Sequence, residues 1–117
     1  MAADWIKVGC DLFEKAEVRI IAKRLGVDRD KAGALCLRLW FWADLHAIDG
    51  YVKGFDMDDI DDIIGYAGFA VAIRESGWLE QDSAGILLPN FDKYNGESAK
   101  KRSIDSERKR MQRHVVT

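Results

Sequence analysis

A chain of 117 residues that is 48% hydrophobic, with four Trp and five Phe, can build one modest core and has no room for a second large domain. It has no run of about eighteen apolar residues, and its start, MAADWIKVGCDLF, lacks the basic region and apolar stretch of a secretory signal; a cytoplasmic location is expected and no membrane partner. The formal net charge of −2 argues against nonspecific coating of nucleic acid by the whole surface, yet seven Lys/Arg against three acids in residues 95–117 leave a local surplus of four positive charges and a net −6 over residues 1–94.

In chain order, Ile6, Val8, Cys10 and Leu12 alternate with polar residues, the period of a half-buried strand or extended segment. From residue 14 to residue 25 the period becomes helical, with Ala16, Ile20, Ile21 and Leu25 on the expected buried face and Gly26 as the stop signal. Asp28 can cap a long helix over residues 31–47 that ends at the turn Asp49-Gly50. Leu35, Leu39, Trp42 and Leu45 or His46 form one stripe of this helix, and Cys36, Trp40 and Ala43 a second, so other elements should cover much of its girth.

YVKGF leaves space for a very short strand. A third helix follows in DMDDIDDIIGYAG, with Met57, Ile60, Ile63, Ile64 and Ala67 inward and its acids outward, and a fourth runs from Phe69 to Ser76 and stops at Gly77. WLEQDSAGILLPNF reads as a hairpin about Asp82-Ser83-Ala84-Gly85, with Pro89 near the end of an edge strand, where a missing donor interrupts no ladder. After Asn95-Gly96 the apolar period fades to Ile104, Met111 and Val115, so a basic tail, a charged helix at most and partly disordered in isolation, is expected.

Helices followed by a short helix that runs through glycine into a hairpin give the order of a winged helix-turn-helix domain, mainly α with a small β-hairpin. Its boundaries are read as residues 1–94, with residues 95–117 as the basic tail. The turn falls at residues 65–68 and the wing at residues 78–91, which makes the fourth helix the expected reader of the major groove. Between residues 69 and 77 its polar side chains are only Arg74, Glu75 and Ser76, a sparse set for base edges and phosphates.

DWIKV, LRLWFWAD followed by DG, SGWLE and LPNFDKYNGESAKKR stand in that order from about Asp4 to Arg113. In this combination the chain resembles the amino-terminal domain of phage and prophage replication proteins of the replisome-organiser or helicase-loader type. The resemblance implies a winged-helix domain that binds double-stranded DNA at a replication origin. It also implies a further segment, absent here, that engages the replicative helicase or its loader.

The candidate nucleic-acid residues are Arg74 in the fourth helix, Lys93 at the base of the wing, and Lys100, Lys101, Arg102, Arg108, Lys109 and Arg110 in the tail, each a side chain that can neutralise a phosphate. The bland reading of such a tail is a solvated chain end. The acids Asp58, Asp59, Asp61 and Asp62 offer a second reading, a docking face for a basic replication partner, against the plain one of acids near a positive helix N-terminus. The stretch lacks the central Gly and twelfth-position Glu of an EF-hand, and one carboxylate cluster does not make a two-metal nuclease. Trp40 and Trp42 are core by their spacing before they are stacking platforms. Cys10 and Cys36 lack CxxC spacing, His46 and His114 have no nucleophile beside them, and no GxxxxGK[ST] occurs. Neither catalysis nor a cofactor is expected.

Overall fold

The computed structural model describes residues 5–91, Asn95, Arg108 and Lys109. Of the residues expected to meet nucleic acid, Lys93, Lys100, Lys101, Arg102 and Arg110 lie outside the described residues. Among those described the chain is mainly helical, with a small antiparallel sheet.

The first segment departs from expectation. Residues 5–9 join no strand; a turn leads into a single 3-10 turn, Leu12–Glu14, and only Leu12 is buried, while Val8 and Cys10 are exposed. Four alternating residues become a strand only where a sheet edge is available. Here the partner is one side chain: Asn95 Oδ1 accepts from the Lys7 amide, and Asn95 Nδ2 donates to the Lys7 carbonyl at 3.1 Å, the two bonds a neighbouring strand would supply. Asn95 is itself buried.

Helix α1, Ala16–Leu25, ends at Gly26, whose left-handed φ of 69° makes it a natural stop. Its buried stripe is Val18, Ile21 and Ala22, with Leu25 half-buried; Ile20, expected inward, is 44% exposed. The i, i+3, i+4, i+7 series from Val18 outcompetes the one through Ile20 because the latter is flanked by Arg19, Lys23 and Arg24. Helix α2, Arg29–His46, begins where the Asp28 carboxylate accepts from the Lys31 amide at 2.7 Å. Leu35, Cys36, Leu39 and Ala43 are buried. Trp42 is only half-buried, packed edge-on to Phe55 with centroids 5.3 Å apart, and Leu45 and His46, placed in the same stripe from the sequence, are exposed.

Strand β1, Tyr51–Lys53, leads to α3, Met57–Ile64, and α4, Phe69–Ser76. Ile60 and Ile64 face the core, whereas Ile63 stands at the surface and Ala67 lies beyond the helix, which Gly65 ends at φ 78°. β2, Glu80–Gln81, and β3, Gly85–Leu87, form the expected hairpin, but the sheet has a third member: its order is β1-β3-β2, both pairings antiparallel. The strand expected at the edge is therefore central, and Pro89 lies beyond it, where it removes no ladder bond. Gly85 makes this possible, since a Cβ there would stand 2.3 Å from the Val52 carbonyl oxygen of β1.

Helix α1 packs on α2 and α4, and α3 packs on α4 and α2. Phe69, Ile21, Leu39, Ile60, Ile73, Leu79 and Ile86 fill the space between helices and sheet. No helix among the described residues is long and apolar enough to cross a membrane.

Candidate nucleic-acid interface

The α3-turn-α4 unit is held by its acids. Asp56 and Asp59 form a reciprocal capping box: Asp56 Oδ1 accepts from the Asp59 amide at 2.8 Å, and Asp59 Oδ2 accepts from the Asp56 amide at 3.0 Å. Asp61 spans the turn. One of its oxygens accepts from the Gly68 amide at 2.9 Å and the other from the Ala70 amide at 2.8 Å, so a side chain of α3 caps α4, whose own cap residue is a glycine. The acids expected to point outward thus divide. Asp59 and Asp61 are half-buried and engaged with backbone, while Asp58 and Asp62 are exposed. Of the docking face read from the sequence, these last two are available to a partner.

This arrangement also changes what α4 can do. A helix N-terminus attracts phosphate through its free amides and positive dipole end, but at α4 the Asp61 carboxylate already occupies that position. Phe69, Ala70, Ala72 and Ile73 are buried, which leaves Val71, Arg74 and Glu75 on the outer face. Arg74 is exposed, its guanidinium 4.0 Å from Met57 Sδ, a weak contact that leaves its charge available. Glu75 pairs with Arg24 of α1 at 3.3 Å, which joins α1 to the edge of the α4 surface.

Helix α1 contributes bases that a tail-centred reading passes over. Arg19 and Lys23 stand one turn apart, and with Arg29 at the start of α2 they surround a shallow trough of about 670 Å³ floored by Ile20, Ala22 and Val27. Asp28 is the only acid on its wall among the described residues, and its carboxylate is engaged in capping α2. The signal was present in the sequence as the four-residue spacing Lys15, Arg19, Lys23. The tail residues Arg108 and Lys109 are helical and exposed.

The turn between β2 and β3 is built by its acid. Asp82 Oδ1 accepts from the amides of Ala84 and Gly85, each at 2.8 Å, and from the Tyr51 hydroxyl at 3.0 Å. Those bonds hold the Asp82 carboxyl below its usual range, the Ala84 amide contributing most, while partial desolvation and then Asp82 push the Tyr51 hydroxyl up. Asp82 is therefore the residue that organises this turn. A separate cleft of about 460 Å³ lies between the first segment and residues 88–91, walled by Trp40 and Trp78, whose rings sit 5.4 Å apart, and bordered by Lys7, Lys15 and Glu17. Comparison with protein-family models, with curated proteins and with solved structures yields no match for this chain.

Proposed function

We propose that the chain is a winged-helix DNA-binding domain without catalysis of its own, acting in replication initiation in a phage or prophage. The observation that supports this reading is the element order α2-β1-α3-α4-β2-β3 with β1 beside β3, in which two capped helices joined by a turn are followed by a hairpin, the order a winged helix-turn-helix would have. The replication role rests on the resemblance of its motifs to the replication-protein domain. With only Arg74 unpaired as a base on α4, affinity comes chiefly from phosphate contacts by the basic tail and by Arg19, Lys23 and Arg29, and sequence preference from α4 and the wing.

Titration of labelled duplex DNA across a range of salt concentrations tests it. Affinity falls steeply with salt, and a Lys100→Ala, Lys101→Ala, Arg102→Ala triple variant flattens the slope of log affinity against log salt by roughly 0.9 for each phosphate no longer neutralised, with little change in sequence preference. An intact chain that binds no duplex at low salt defeats the reading. A second reading, a module that docks a basic replication partner, is favoured by one observation: Asp58 and Asp62 stand exposed on α3 while Glu75 and Asp61 reduce what α4 offers to DNA. Under it, a basic partner binds the intact chain and Asp58→Asn with Asp62→Asn abolishes that binding.

A further inference from the structure

One side chain holds the first segment of the chain in place. The buried Asn95 bonds both the amide and the carbonyl of Lys7, and the cleft of about 460 Å³ between that segment and residues 88–91 falls within the roughly 300 to 1,000 Å³ of small-molecule sites. Trp40 and Trp78 stand with centroids 5.4 Å apart and planes at 54°, an angled aromatic wall, and the buried Leu12, Leu88 and Phe91 complete the apolar lining.

The polar lining is rich in donors. Neither the Trp40 nor the Trp78 indole N–H has an acceptor among the described residues, and both reach solvent, since no buried side-chain nitrogen there lacks a partner. Lys7 is exposed and in no ion pair among the described residues, and Lys15 has only a 3.6 Å contact with the exposed Asp11. Against these donors Glu17 is the one acid of the lining among the described residues.

We propose that this cleft binds a small aromatic acid with a single negative charge, its ring on the Trp40–Trp78 wall and its carboxylate on Lys7 and Lys15. The angle between the two rings offers a flat ligand one face to stack on and one edge to meet. Two ammonium groups repel a cationic ligand, and Glu17 disfavours a second negative charge, which separates this site from the surfaces expected to hold DNA phosphates. Ligand binding here is independent of duplex binding.

Titration of the isotope-labelled intact chain with indole-3-acetate, followed by the NMR signals of its indole N–H groups, tests this. The Trp40 and Trp78 signals shift saturably, while that of Trp42, packed on Phe55 and His46, stays where it is. Indole-3-acetamide, which keeps the ring and loses the charge, binds at least about tenfold more weakly, and so does the acid with Lys7→Gln, a change at an exposed side chain whose backbone bonds remain. Deoxyadenosine monophosphate, with its second negative charge, also binds at least about tenfold more weakly than the acid, and Glu17→Gln narrows that gap. No saturable shift at millimolar acid overturns the proposal, as does equal binding of the amide or undiminished binding by Lys7→Gln. Tighter binding of the nucleotide than of the acid makes the cleft a nucleic-acid site and overturns it as well.

Discussion

Replacing Asp61 with Ala probes the joint between α3 and α4. In the native chain its carboxylate serves two amides, those of Gly68 and Ala70, and the cap position of α4 is a glycine with no side chain to take its place. Gly68 is exposed, so its amide exchanges the carboxylate for water at small cost. Ala70 is fully buried, and its amide is left without an acceptor, a loss of about 1 to 3 kcal/mol. Allowing for the hydrogen bonds Asp61 makes with water in the unfolded chain, we expect a net destabilisation of about 2 kcal/mol, within the range measured for helix caps.

A domain of this size has on the order of 10 kcal/mol in all, so the loss should lower the melting temperature by about 8 °C. Urea denaturation, followed by circular dichroism, measures it directly. Asp58→Ala and Asp62→Ala supply the contrast: both side chains are exposed with no hydrogen-bond or ion-pair partner among the described residues, and each change should stay within about 0.5 kcal/mol of the parent. If Asp61→Ala is as stable as the parent, or Asp58→Ala costs as much, then the acids of α3 do not divide into structural and free as the geometry has them.

Three further outcomes are expected. Gly85→Ala forces a Cβ into the backbone of β1 and should cost at least about 1 to 3 kcal/mol, with loss of amide protection at Gly54, whose N–H bonds the Ala84 carbonyl, as the hydrogen-exchange readout. The lowered Asp82 carboxyl contributes stability that is present above the ordinary aspartate value of 3.8 and is lost as pH falls through its folded value, whereas the raised Tyr51 hydroxyl contributes below 10.0 and is lost as pH rises through its folded value; Asp82→Asn should remove the acid-side dependence of the β2–β3 turn in a pH-dependent melt, and Tyr51→Phe the alkaline one. Burial pushes the Cys36 thiol up to about 12, so a thiol reagent at neutral pH should label the exposed Cys10 alone in the native chain and both residues after denaturation.

What the sequence determined by itself is what short-range chemistry dictates. The limits of α4, the Asp28 cap, the stops at Gly26 and Gly77 and the short strand in YVK were legible because each rests on a residue acting on backbone within a few positions of itself. The tertiary structure decided which apolar residues are covered and which polar groups are engaged, because both depend on neighbours distant in sequence. Ile6, Val8 and Cys10 have a strand's alternation, but the sheet edge they would need is elsewhere and Asn95 takes its place. Residues 51–53 stand as an isolated short strand in the sequence, and only the close approach allowed by Gly85 makes β3 the centre of a sheet. The same limit applies to the candidate site. The bases Arg19, Lys23 and Arg29 come together through the packing of α1 against α2, and Asp61 looks like one acid of five until the fold brings the amides of Gly68 and Ala70 to it. Leu45 has the spacing of a core residue; it is exposed because no element among the described residues reaches that side of α2.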